Sequence, residues 1–299
     1  MPNETDDRVG ATAPAPPAGP PARPSAAAGS GNVAAPGGAA GPGDPAGRET
    51  VRHPAAASEV GEVPVLLAAA GVTREFRIGE TRIHVLRGID LGLREGEILA
   101  VLGASGAGKS TLLHCLGGLD RPDAGTVRFR GQEIFSLAER ELSRFRNRNM
   151  GFVFQFHHLM PEFTAEENVM MPGLVARQAP EGARRRAREL LVEVGLADRA
   201  EHKPDELSGG EQQRVAVARS LFAAPALVLA DEPTGNLDPA TARGLHDLMY
   251  ALARRHRQSW IVVTHNAELA ALADTRVRLV DGVLRPEGSG GGRAGDISA

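Results

Sequence analysis

One segment, Gly103-Ala104-Ser105-Gly106-Ala107-Gly108-Lys109-Ser110-Thr111, constrains this 299-residue chain more than any other. It reads G-x-x-x-x-G-K-S between a wholly apolar run, Ile98–Leu102, and a helical run, Leu112–Leu116, that Gly117-Gly118 would end. A strand passing through such a loop into a helix turns consecutive backbone N–H groups inward around a phosphate, where side chains would clash. The helix start near Lys109 adds the positive end of its dipole. Lys109 supplies a point charge for the β- and γ-phosphates, and the Ser110 hydroxyl is a natural Mg2+ ligand. The chain has only two lysines, Lys109 and Lys203, against 32 arginines, so composition does not explain a lysine at that spot. Residues 103–111 are therefore predicted to bind a nucleotide.

Two further segments add chemistry. The apolar run in Leu227-Val228-Leu229-Ala230-Asp231-Glu232-Pro233 delivers Asp231 to a strand end, where it can hold a Mg2+ shell. Glu232, directly after it, can orient an attacking water. An acid pair at a strand end is also an ordinary surface feature, so this segment alone leaves both readings open. The third segment, Leu207-Ser208-Gly209-Gly210-Glu211-Gln212-Gln213, opens the helical run Arg214–Phe222. Ser208 is a good N-cap, and the two glycines leave N–H groups bare at a positive helix end, a second phosphate site. Two such sites in different lobes point to ATP molecules shared between subunits.

Around these segments, apolar runs alternate with amphipathic ones, which predicts an α/β core. Val65–Ala70 reads as a first strand leading to a hairpin near Gly79, with buried strands at Ala226–Ala230, Trp260–Val263 and Gly151–Phe154. Residues 156–224 read as an inserted helical lobe, in which Glu181–Val194 sets an Arg-rich face against Leu190, Leu191 and Val194. Asp281-Gly282 is a hairpin signal. Residues 1–60 hold 11 Pro, 9 Gly and 16 Ala with no Leu, Ile or aromatic ring, too little apolar surface to offset ordering. The plan is a disordered tail over 1–63, one domain over 64–286 and a flexible tail over 287–299.

A net charge of −3 argues against a chain held to DNA or anionic lipid by bulk charge. Arg184-Arg185-Arg186-Ala187-Arg188 has no interleaved aromatics and reads as a solvated helix face, so no nucleic-acid partner is expected. A single cysteine, Cys115, excludes an internal disulfide and a multi-cysteine zinc site. No run of 18 apolar residues is present, and the N-terminus has no basic region followed by an apolar run; a cytoplasmic location is expected.

In their order along the chain, these motifs resemble those of the ATP-binding subunits of ABC transporters, over about Val65 to Arg285. Walker A matches Gly103–Ser110, the Q-loop Gln155, the signature Leu207–Gln213, Walker B Leu227–Asp231, the D-loop Gly235-Asn236-Leu237-Asp238, and the switch histidine His265. The resemblance implies a P-loop NTPase core with an antiparallel β subdomain and an inserted α-helical subdomain. It implies ATP hydrolysis with Mg2+, with Glu232, His265 and Lys109 catalytic. Ser110, Gln155 and Asp231 would hold the metal, and Ser208, Gly209 and Gly210 would contact ATP from a second copy. Phe76 best matches the aromatic that stacks on adenine, usually Tyr in the family; it reads equally as an ordinary core residue. The stretch Gly151–Val169, with Gln155-Phe156-His157-His158-Leu159 in it, is similar to ATPases of the lipoprotein-releasing type. Macrolide-exporter and cell-division types share parts of it. That narrower likeness implies a homodimer on the cytoplasmic face of the inner membrane, peripheral to separate integral membrane permease subunits. One of these would seat a short helix on the loop Phe156–Glu162. The Pro/Ala-rich tail departs from the family's compact N-terminus.

Overall fold

The computed structural model describes residues 63–287; the tails predicted for 1–63 and 287–299 lie outside the described residues except for Val63 and Glu287. In chain order the elements are β1 (Val65–Ile78), β2 (Thr81–Arg94), β3 (Ile98–Leu102), α1 (Lys109–Leu116), β4 (Ala124–Phe129), β5 (Gln132–Glu133), α2 (Glu139–Asn149) and β6 (Met150–Val153). There follow α3 (Ala165–Val175), α4 (Pro180–Glu193), α5 (Gly209–Leu221), β7 (Leu227–Asp231), α6 (Pro239–Arg255), β8 (Ser259–Thr264), α7 (Ala267–Ala271), β9 (Thr275–Val280) and β10 (Val283–Pro286).

Two sheets organise these elements. A four-stranded antiparallel sheet runs β2-β1-β4-β5, and a six-stranded sheet runs β10-β9-β3-β8-β7-β6. In the larger sheet β6, β7, β8, β3 and β9 are parallel, and β10 closes one edge antiparallel. β3 and β8 are buried at every position, as expected where both faces of a parallel sheet are covered. One face packs Leu99, Val101, Leu229 and Ile261 against α1 and the smaller sheet. The other packs Val153, Val228, Trp260 and Val262 against the helical lobe and α6.

The helical lobe is α3, α4 and α5, within the expected 156–224. On α4, Ala183, Ala187, Leu190 and Leu191 are fully buried, and Val194 with them. Arg184 and Arg188 face outward and close on the Glu166 carboxylate, so the arginine cluster is a salt-bridged helix face. The turn Asp281-Gly282 has φ of 50° and 78°, both left-handed, the form that matches hairpin twist. At that turn the Gly282 carbonyl accepts from the Arg87 N–H at 2.8 Å, joining the two sheets. Expected strands and helices fall within one or two residues of those observed, with two differences. The first strand runs on to Ile78, and the helical run placed at Arg214–Phe222 takes in the glycines as well, starting at Gly209 behind the expected N-cap Ser208.

Candidate nucleotide site

β3 is central in its sheet and ends at Leu102, so the loop 103–108 leaves from the carboxyl edge, where open α/β sheets bind ligands. Gly108, at φ 96°, turns the chain into α1 and offers no side-chain cap. A Cβ there would lie 2.6 Å from Val85 Cγ1, so only glycine lets α1 start this close to β2. The first N–H groups of α1 are thus left for a ligand.

Lys109 is only 6% exposed. Its Nζ donates to the Gly103 carbonyl (2.9 Å) and the Ala104 carbonyl (3.0 Å), and pairs with Glu232 Oε1 at 3.1 Å. All three ammonium donors are used. The other Glu232 oxygen, Oε2, lies 2.9 Å from His265 Nδ1 and accepts from the His265 backbone N–H at 3.2 Å. Glu232 therefore holds Lys109 with one oxygen and His265 with the other. It does so from a left-handed backbone, φ 43°, a conformation that costs a non-glycine residue about 1 kcal/mol or more. Its N–H is anchored on the Val263 carbonyl of β8.

Asp231 precedes it, with the Ser110 hydroxyl among the groups that act on its carboxyl. Burial pushes the Asp231 carboxyl above its usual range, against the opposing effect of Ser110. Its Oδ1 is buried without a hydrogen-bond partner. A desolvated carboxylate oxygen beside a hydroxyl is a hard oxygen donor set, and it fits Mg2+. Gln155, the other expected metal ligand, engages Asn236 instead: its Nε2 donates to Asn236 Oδ1 and its carbonyl accepts from Asn236 Nδ2, both at 3.2 Å.

Phe76 stands on β1 with its ring 39% exposed, so it is not a core residue. One face carries the Arg74 guanidinium, 4.9 Å from the ring centroid. Arg74 is fixed in turn by Asp120 and Asp123.

Ser208 and Gly209 open onto the surface of the helical lobe. Ser208 Oγ donates to Glu211 Oε2 at 2.8 Å and accepts from the Glu211 N–H at 3.3 Å. The Ser208 N–H also donates to Glu211 Oε2, at 2.9 Å. These bonds, the backbone one foremost, hold the Glu211 carboxyl below its usual range. Glu211 is a residue that the sequence reading passed over, although the Ser-x-x-Glu spacing of a capping box announces it. The structure thus gathers Lys109, Ser110, Asp231, Glu232 and His265 in one place, and sets Ser208–Gly210 on another lobe.

Among known proteins, a family profile described as ABC transporter matches residues 86–235. A "Lipoprotein-releasing system ATP-binding protein LolD" of Geobacter metallireducens is 56% identical over 217 residues, 73% of this chain and 96% of that protein. Proteins of the same name from Myxococcus xanthus and Bacteroides thetaiotaomicron are 52% and 50% identical, covering 73% and 74% of this chain and 97% and 100% of theirs. Among solved structures, a dimeric post-hydrolysis state of the ATP-binding cassette MJ0796 bound to ADP and Pi superposes with a TM-score of 0.69 at 38% identity. It covers 74% of this chain and 98% of that one.

Proposed function

This chain belongs to the ABC transporter family as one of its ATPase domains, and from that premise we propose that it is the ATP-hydrolysing subunit of a lipoprotein-releasing complex. The family hydrolyses ATP; the cargo, the partners and the residue roles are our reading. The observation that carries it is the double engagement of Glu232 with Lys109 and His265 beside the phosphate loop. The cargo assignment is supported by the names of the relatives, which match over nearly their whole length.

The geometry suggests an order of events. The β- and γ-phosphates of ATP, cradled by the N–H groups of 103–111, draw Lys109 away from Glu232 and from the two loop carbonyls. Glu232 Oε1 is then free to accept a hydrogen bond from a water in line with the γ-phosphate. His265, kept on Oε2, would meet the γ-phosphate as charge moves onto it. Ser110 and Asp231 would hold Mg2+, with Gln155 joining after it leaves Asn236; the ion supplies charge neutralisation on the phosphate oxygens. Phe76 offers its free face to adenine. Ser208–Gly210 of a second copy complete the γ-phosphate shell, so ATP favours a closed homodimer, and loss of the γ-phosphate reopens it. The exposed apolar residues Phe156 and Met160, just past Gln155, offer a seat for the membrane permease subunits. Through them the chain would sit on the cytoplasmic face of the inner membrane, and among the described residues no helix is long and apolar enough to cross it.

The test is to isolate the tagged full chain from detergent-solubilised membranes, identify what comes with it, and reconstitute the complex in lipoprotein-loaded vesicles. Separate integral membrane permease subunits and ATP-dependent lipoprotein release are expected. A permease that releases no lipoprotein, or that exports a small molecule instead, overturns the cargo reading.

A further inference from the structure

The hairpin that carries Phe76 meets both ends of α1. β1 and β2 pair Arg74 with Leu86 and Glu75 with His84, which leaves Val85 as the extra residue of a bulge. Val85 is the side chain against which Gly108 opens α1, so the hairpin touches the turn of the phosphate loop. Past the other end of α1, the N–H groups of Leu119 and Asp120 donate to the His114 carbonyl at 2.9 and 3.2 Å, tying the following turn back to the helix. Arg74 reaches that turn. Its Nε and Nη2 each donate to one Asp120 oxygen at 2.8 Å, and Nη1 donates to Asp123 Oδ1 at 3.0 Å. The second Asp123 oxygen accepts from the Glu75 N–H at 2.6 Å, and the Asp123 N–H donates to the Thr73 carbonyl at 3.0 Å.

Residues 74 and 76 share a face of β1, and the Arg74 guanidinium lies over the Phe76 ring in cation–π range. Ile83 stands opposite Phe76 across the hairpin and is exposed like it. An exposed ring on a strand can change rotamer, and ordering it at the moment of binding would weaken any ligand that stacks on it. Here one face of the ring is already covered by a cation that three carboxylate bonds hold in place. With Nε, Nη1 and Nη2 all engaged, that cation is not at liberty to swing to a phosphate. The two parallel bonds to Asp120 fix the orientation of the planar fork as well as its position, which a lysine at 74 would not do.

We propose that Arg74 is a positioning residue for the nucleotide base: it backs the Phe76 ring so that the opposite face meets adenine at a fixed place relative to the phosphate loop. Base and triphosphate are then gauged by one frame, α1, with Val85 at its start and Asp120 past its end. This role rests on the stacking of Phe76 on adenine proposed above.

Calorimetry on the full chain tests it with two probes, ATP and inorganic tripolyphosphate, which carries the phosphates without a base. Phe76→Ala is expected to weaken ATP binding about tenfold or more, the worth of a base stacked on an aromatic ring. Arg74→Ala is expected to weaken it about fivefold, the cost of ordering the ring on binding. Tripolyphosphate affinity should stay at the wild-type level in both, and in the Phe76→Ala background Arg74→Ala should have no further effect on ATP. Unchanged ATP affinity in Arg74→Ala overturns the role. So does an equal loss of tripolyphosphate affinity, which would mean that Arg74 merely seats α1. Additive losses in the double variant overturn it too, because Arg74 would then act without the ring. Should Arg74→Ala fail to fold, Asp120→Asn keeps the arginine and loosens its fork. ATP binding about twofold weaker with tripolyphosphate unchanged is then expected, and wild-type ATP affinity overturns the role. If Phe76→Ala binds ATP as wild type does, the stacking fails and takes this role with it; if Phe76→Ala alone weakens ATP, stacking stands and the positioning by Arg74 falls.

Discussion

Two helix N-termini face phosphate in the proposed scheme, and they are built in opposite ways. α1 starts at a left-handed glycine with no side-chain cap, buried against Val85, with Lys109 folded back over the loop. α5 starts at a serine whose hydroxyl is saturated by Glu211, on an exposed lobe surface. The first leaves its N–H groups bare and lets a movable cation satisfy the carbonyls until substrate arrives. The second has the Ser208 hydroxyl, the Ser208 N–H and the Glu211 N–H tied up in its own capping box, and in the proposed scheme it trades those bonds for another copy's γ-phosphate. A site that must bind first is left open; one that must bind last is closed on itself.

The sharpest way to test this asymmetry is to stop the reaction after both ends have engaged. Glu232→Gln is expected to cut turnover by roughly 10²–10⁴-fold while ATP binding persists and a closed dimer accumulates on size exclusion. Wild-type turnover in that variant would remove Glu232 from its role. Breaking the α1 side alone, Lys109→Ala should cost ATP affinity about a hundredfold, the worth of two charge-assisted hydrogen bonds, read by calorimetry. Unchanged affinity would refute the movable cation.

On the α5 side the expected losses are smaller and of a different kind. A Cβ at Gly210 would lie 2.5 Å from Thr241 Cγ2 on α6, so Gly210→Ala should destabilise the fold by about 1–3 kcal/mol in denaturant titration. ATP affinity of the single chain should not change; a tenfold drop would mean that α5 already serves the cis site.

The smallest effect concerns the packing of α6 against the turn that holds Thr234. His246 is 3% exposed, with Nε2 2.8 Å from Thr234 Oγ1, and burial holds its pKa below the ordinary imidazole value. The unfolded chain therefore takes up the proton first. This stability contribution is full above about pH 6.5, the unfolded value, and shrinks as pH falls from there toward the lower folded value. Melting temperature should decline over that window and decline less in His246→Gln; parallel curves would exclude His246 as the cause.

Most of the fold was legible because its strands announce themselves. Ile98–Leu102 is apolar at every position and breaks into glycine, and Asp281-Gly282 carries the residue types its left-handed turn requires. α2 gave no such sign: Leu142 is its one buried side chain, so no apolar stripe marks it. β4 begins with exposed Ala124 and Gly125, so its alternation, Thr126-Val127-Arg128-Phe129, spans only four residues. Motif spacing had marked, one by one, the residues that the structure gathers at the phosphate loop, and Asp238 caps α6 as its pairing with Pro239 suggests. The resting arrangement of those residues was not legible. Lys109, Glu232 and His265 come from three separate strand ends, and nothing local to any of them tells that one carboxylate bridges the other two. The grip of Arg74 on Asp120 and Asp123 is hidden for the same reason, since it spans 46 and 49 residues of chain.

The near absence of lysine now has a structural meaning. Where this protein pins two parts of its frame together, it uses guanidinium forks, as in the paired bonds of Arg278 to Glu287 and of Arg74 to Asp120. At the buried site where, in the proposed scheme, positive charge travels, it keeps the compact ammonium of Lys109, whose three bonds could be traded for phosphate oxygens. The molecule separates mooring from machinery by its choice of cation, and an arginine at 109 would turn a moving part into a rivet.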